Sequence, residues 1–223
     1  MMSRRPTTTR DRKPSGFTLV ELLVTISIIT LLASMILVAL AGVQETARAD
    51  RTRAQVARID ALITEKWDSY RSRRVPLPFN LQQKARLNAT GKVELDWFRV
   101  NALRELMRME LPDRKTDILV GPTVLSPNQA PAIWNAYRRY AAKLIRQRRP
   151  EVQMPLNDKA IFKQLDNFWS SDFESAECLY LILSQINDQD STALDFFSPQ
   201  EIGDIDNDGM PELLDGWGRP VIF

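Results

Sequence analysis

The stretch Gly16-Phe17-Thr18-Leu19-Val20-Glu21-Leu22-Leu23-Val24-Thr25-Ile26-Ser27-Ile28-Ile29-Thr30-Leu31-Leu32-Ala33-Ser34-Met35-Ile36-Leu37-Val38-Ala39-Leu40-Ala41-Gly42-Val43 decides how the chain is built. No residue from Leu22 to Ala41 carries a charge. As a helix rising about 1.5 Å per residue, that run is roughly 30 Å long, the thickness of a bilayer's hydrocarbon core. It is longer than the apolar core of a secretory signal, and an amphipathic segment follows it without a break. Glu21 stands at its edge, where an unpaired carboxylate is expensive. Thr25, Ser27, Thr30, Ala33 and Ser34 supply the small and hydroxyl side chains that let such helices pack closely.

Charge is unevenly placed around this run. The 223 residues carry a formal charge of +2. Residues 1–16 contribute Arg4, Arg5, Arg10, Arg12 and Lys13 against Asp11, which leaves 25 basic and 27 acidic residues beyond them. Nucleic-acid binding through bulk charge is therefore not indicated. A basic N-terminal tail stays on the cytoplasmic side and sends the rest of the chain across the membrane. At 44% hydrophobic and 26% charged, the remainder suits one modest folded domain. There is no histidine, and the single cysteine, Cys178, lies in an apolar run that marks it as a buried structural thiol. The sequence has no paired nucleophile and base, no phosphate-cradling glycine loop and no redox motif, so a non-enzymatic role is expected.

The boundary Gly16-Phe17-Thr18-Leu19-Val20-Glu21-Leu22 resembles the processing site of type IV prepilins and type II secretion pseudopilins. The resemblance implies cleavage between Gly16 and Phe17 by a prepilin peptidase, methylation of the new Phe17 amine, and assembly through Phe17 and Glu21. In a bundle of such helices, the amine of an incoming subunit would meet Glu21 of its neighbour, a charge-assisted bond favoured at low dielectric. One departure is that many relatives carry a proline about twenty residues beyond the cut, whereas none occurs here between Phe17 and Val75. Local melting of this helix is accordingly not expected.

From Ala47 the pattern turns amphipathic and runs to Arg73, before Pro76 and Pro78. Phe17 to Arg73 as one helix would be about 85 Å long. Further helices are expected at Leu95–Leu111, Ala132–Arg148, Asp158–Trp169 and Phe173–Ile186, with a loop from Gly121 to Pro131.

Near the C-terminus, Asp204-Ile205-Asp206-Asn207-Asp208-Gly209-Met210-Pro211-Glu212-Leu213-Leu214-Asp215 alternates carboxylates and then turns at a glycine. A hard cation wants six to eight oxygens, and a short loop of this kind can supply them. Asp204, Asp206 and Asp208 would give side-chain oxygens, Met210 its carbonyl, Glu212 the ninth position and Asp215 the twelfth. The loop resembles calcium-binding hands and dockerin-like loops, although Pro211 disfavours a standard exiting helix. The alternative is an acidic surface turn without metal. The following Asp215-Gly216-Trp217-Gly218-Arg219-Pro220 is similar to the closing segment of major pseudopilins, whose heads bind calcium near this point. Val221-Ile222-Phe223 reads as a strand in which the chain stops, as a fragment lacking its final strands would.

The expected architecture is an α+β, mostly α, pilin-like lollipop. It comprises a basic leader (1–16), a membrane and assembly helix (17–43), its amphipathic continuation (44–74) and an extracytoplasmic head (75–223) with the calcium-type loop 204–215 and a small C-terminal β element. The expected function is a structural subunit of a type II secretion pseudopilus or type IV pilus-like filament, anchored once in the bacterial inner membrane. Its expected partners are the prepilin peptidase, sister subunits in a homopolymeric or mixed filament, the bilayer and an assembly platform. Two other readings stay open. One is a DNA-uptake pilin using Arg138, Arg139, Arg146, Arg148 and Arg149. The other is an unassembled, signal-anchored calcium protein.

Overall fold

The computed structural model describes residues 16–150, 158–188 and 191–222. The chain is mostly α-helical with a small C-terminal β component, as expected, and divides into two compact units after Ala47.

The first unit is the apolar part of α1 (Leu19–Ser69). Among the described residues, α1 is the helix long and apolar enough to cross a membrane. Its hydroxyls are satisfied within the helix. Thr25, Ser27, Thr30 and Ser34 donate to the carbonyls of Leu22, Leu23, Ile26 and Leu31 at 2.7–2.8 Å. Such back-bonding lets polar side chains sit on a lipid-facing helix without orphan donors. No proline interrupts α1, which ends at Ser69 and tightens into a 3₁₀ turn, Tyr70–Ser72, ahead of Pro76.

The second unit begins at Arg48 and includes the rest of α1. It continues through α2 (Phe79–Leu87), α3 (Ala89–Glu110), α4 (Lys115–Leu119), α5 (Ala132–Arg148), α6 (Asp158–Phe168) and α7 (Glu174–Gln185). The expected helices are present, and α5 has the expected bounds. Two corrections concern α2 and α4, which were not expected. Both are short and lack a strong apolar period of their own. A third concerns α3, which starts six residues before Leu95 because Asn88 caps it, accepting from the Gly91 N–H at 2.7 Å. Gly91 is required there, since a Cβ would lie 2.3 Å from the Lys84 carbonyl group.

Helix α7 is central. Every residue from Ala176 to Ser184 is buried. One face packs with Tyr137, Ile145, Leu165, Trp169 and Met210, while Leu179 and Leu183 pack with Ile59, Ala193, Phe197 and Leu213. Cys178 is fully buried and burial raises its pKa well above the ordinary thiol range, which agrees with a structural role.

The β component is two antiparallel pairs. β1 (Asn187–Asp188) pairs with β2 (Ser191–Thr192), and β3 (Ile202–Gly203) with β4 (Glu212–Leu213), matching Ile202 to Leu213. The strand expected at 221–223 is corrected. Val221 donates to the Leu213 carbonyl at 2.8 Å beside a lone Leu214–Pro220 bridge, but no strand forms, since Pro220 has no N–H to extend a ladder. Phe223 lies outside the described residues. The C-terminal segment is bonded to the Arg48–Ser69 part of α1. Gln55 Nε2 donates to the Leu214 carbonyl at 3.0 Å, and the Gly216 N–H donates to Thr52 Oγ1 at 2.9 Å.

Candidate functional site

At the N-terminal boundary, Gly16 and Phe17 precede α1 in non-helical backbone, and Phe17 is exposed. A Cβ on Gly16 would meet nothing within 4 Å. The fold of this chain therefore does not require glycine there, whereas close approach by another molecule to the backbone would. Thr18 and Glu21 form a reciprocal capping box. The Thr18 N–H and hydroxyl donate to Glu21 Oε2 at 3.0 and 2.9 Å, and the Glu21 N–H donates to Thr18 Oγ1 at 3.2 Å. In the uncut chain, one oxygen of Glu21 is thus paired with the helix's own first turn. Thr18 was not singled out from the sequence, although its Thr-x-x-Glu spacing is the recognisable signature of this cap.

The acidic loop holds the second constellation. The backbone reverses at Asn207 (φ 58°) and Gly209 (φ 100°), where a Cβ would press on Ile145 Cα at 3.3 Å. Asp208 acts as the turn's internal acceptor. Its Oδ1 takes the Met210 N–H at 2.7 Å and its Oδ2 the Ser170 N–H at 2.6 Å. Asp206 Oδ1 accepts from the Asp208 N–H at 3.2 Å, Glu212 Oε2 from the Ile205 N–H at 3.1 Å, and Asp204 Oδ2 from Arg148 at 2.8 Å. The Met210 side chain is fully buried in the core around α7.

Two groups of carboxylates could each hold a metal: Asp204 with Asp206 and Asp208, and Asp206 with Glu212 and Glu177. Within each group, one oxygen per residue lies within 4.8 Å of the others. Asp206 belongs to both. Asp215 belongs to neither. Its Oδ1 is occupied by the Trp217 and Arg219 N–H groups, both at 2.8 Å, as the cap of the following turn. Glu177, from α7, was not anticipated. The sequence shows it only as one acid beside Cys178, with nothing local to connect it to residues 204–212.

Electrostatics set this cluster apart. Glu177 and Glu212 are fully buried and Asp208 nearly so. Four oxygens, Glu177 Oε1, Asp204 Oδ1, Asp206 Oδ2 and Glu212 Oε1, are buried with no hydrogen-bond partner among the described residues. Burial, reinforced by the Asp208, Asp206 and Glu212 charges, pushes the Glu177 carboxyl up to about 10, against the hydrogen bond from Trp169. Burial likewise pushes Glu212 up to about 7 and raises Asp208. Buried, mutually repelling carboxylates with unfilled lone pairs are a donor set that a hard divalent cation would satisfy. The residues present therefore fit calcium.

Of the five arginines in the nucleic-acid reading, three have structural roles. The Arg138 guanidinium is buried over the Trp134 ring, 3.8 Å from its centroid, and donates to the Leu119 carbonyl at 2.9 Å. Arg148 pairs with Asp204, and Arg149 donates to the Asn207 carbonyl.

Residues 11–37 match the family described as the prokaryotic N-terminal methylation motif. No curated protein and no solved structure matches the chain significantly. The match covers the Gly16–Phe17 boundary, the Thr18–Glu21 cap and most of the apolar run, and it does not reach the acidic loop. The chain thus carries a type IV prepilin-like N-terminal segment, seated on the helix that, among the described residues, is long and apolar enough to cross a membrane.

Proposed function

We propose that the chain is a structural subunit of a pilin-like filament, of the type II secretion pseudopilus or type IV pilus kind. The observation that carries this is the methylation motif seated on a helix that is uncharged from Leu22 to Ala41, with Glu21 at the edge of that run and about one turn from Phe17. The membrane-held precursor keeps its basic leader in the cytoplasm and its second unit outside. Prepilin peptidase cuts the Gly16–Phe17 bond, and the exposed position of Phe17 with the open space around Gly16 supports access. The new Phe17 amine is then methylated. In the growing filament, Glu21 exchanges part of its pairing with Thr18 for the amine of a neighbouring subunit, and the apolar faces of α1 are buried against sister helices. A fully bonded hydroxyl set on α1 supports that packing, because close approach then leaves no donor stranded.

The acidic loop is the proposed calcium site of the extracytoplasmic unit, with Asp204, Asp206, Asp208 and Glu212 as side-chain ligands. The cation would neutralise the cluster and fix the C-terminal segment.

Mass spectrometry of the chain isolated from cells with active peptidase tests the central claim. The expected N-terminus is methylated Phe17. An intact leader on the membrane-inserted chain would sink the filament-subunit reading. Glu21→Ala should be cut normally but fail to enter filaments, as judged by shear release.

A further inference from the structure

Resting on the reading of 204–212 as a calcium loop, we propose that Glu177 on α7 is a direct ligand of the same cation. The site is then a clamp between the core helix and the C-terminal segment rather than a self-contained loop.

Three observations carry this. Glu177 is fully buried, and its two oxygens differ. Oε2 accepts from the Trp169 indole N–H, while Oε1 has no partner among the described residues. Glu177 shares a common space with Asp206 and Glu212, one oxygen of each lying within 4.8 Å of the others. That spacing is no wider than a calcium coordination sphere, which measures about 4.6–5.2 Å across for ligands at 2.3–2.6 Å. Finally, the loop's own twelfth residue is taken. Asp215 caps the next turn with the oxygen a bidentate ligand would need. Glu177 supplies from α7 the carboxylate that the loop no longer provides.

Trp169 fixes the carboxylate from behind, as outer-shell donors commonly do for metal ligands. Because α7 packs against both Met210 and Leu213, an ion held by Glu177 and Glu212 would tie β4 and its connecting loop to the centre of the core. Five carboxylates with only partial compensation from Arg148 favour calcium or a lanthanide over magnesium, which demands a smaller octahedron and keeps its waters.

The test uses the full chain in detergent micelles, with terbium as the probe and calcium as its competitor. Trp169 donates to Glu177, so terbium bound at Glu177 should emit on indole excitation, and Trp169→Phe should dim that emission. Losing an outer-shell partner of a metal costs about 10–100-fold in affinity, so Glu177→Gln, which loses a ligand, should weaken calcium by at least about tenfold. Asp215→Asn should leave the affinity within about twofold of the parent. Glu177→Gln should also melt about as high as the parent without calcium, since the neutral amide keeps the side chain's size while removing an acid from the cluster, and gain less on calcium addition. A purely structural glutamate would lower both melting points. Glu177→Gln binding calcium as the parent does, while Asp206→Asn does not, overturns the Glu177 assignment and leaves the loop site standing. A Glu177→Gln chain that cannot fold without calcium also overturns it. Absence of calcium binding by the parent overturns the loop site and this proposal together.

Discussion

The second unit buries carboxylates in two ways, and the contrast is informative. On one side, Glu105 and Glu110 of α3 are nearly inaccessible yet saturated. Glu105 accepts from the Thr123, Val124 and Leu125 N–H groups and from the Thr123 hydroxyl. Glu110 accepts from Tyr70 at 3.0 Å and Arg73 at 2.7 Å, with Lys66 at 3.3 Å. Burial raises the Glu105 carboxyl, but the hydrogen bonds it accepts from Thr123, Leu125 and Val124 outweigh that and hold it below the ordinary value. On the other side, Glu177, Asp204, Asp206 and Glu212 each keep one oxygen bonded and leave the other buried without a partner among the described residues. The α3 carboxylates are complete within the protein. In the acidic cluster, a bound cation would supply the partners that the chain does not. The two groups therefore differ in how far the chain itself satisfies its buried carboxylate oxygens.

Stripping calcium from the full chain with a chelator should break the comparison most strongly. Calcium at about a hundredfold over its dissociation constant adds roughly 2.7 kcal/mol. For a unit of this size that corresponds to a melting shift of about 5–10 °C, reversible on adding calcium back. No shift would mean that both regions are complete without metal.

Glu105→Ala strands three backbone N–H groups and should cost about 2–3 kcal/mol, equally with and without calcium. Its pH dependence has a definite sign. A carboxyl held low when folded contributes fully above its unfolded value of about 4.5, and that contribution is lost as pH falls through the lower folded value. The penalty of Glu105→Gln should therefore shrink in acid, as denaturant melts across that range would show.

Glu110→Gln should be milder, about 1 kcal/mol, because Lys66 and Arg73 are 31% and 40% exposed and can return to water. Urea midpoints measured with and without calcium should move by the same amount. A calcium-dependent difference would place Glu110 with the cluster instead.

The smallest expected effect extends the comparison to Glu21, whose partner in the uncut chain is local. Thr18→Ala should weaken only the first turn of α1, read as faster amide exchange at Leu19–Leu22 with the melting point of the second unit unchanged. An equal effect on both units would show that the cap is not a local device.

The helices were legible where their signal is periodic or compositional. The uncharged run made α1, and the apolar spacing of Trp134, Tyr137, Ala141 and Ile145 gave α5 its bounds. α2 and α4 were not legible, being too short for a period to emerge. The strand expected at Val221 failed because strand residues need a ladder, and Pro220 limits the one available.

The acidic loop shows the same division within a single site. The alternation Asp204, Asp206, Asp208 and the turn at Gly209 follow from covalent neighbours, so the sequence determined them, as it determined the cut-site motif and the apolar length of α1. It also nominated Asp215 by counting along the loop. Only tertiary structure decided that Asp215 would cap a turn and that Glu177 would face Asp206 and Glu212. Glu177 reaches the loop because α7 is buried against Met210 and Leu213, and side-chain packing across distant elements leaves no trace in local spacing.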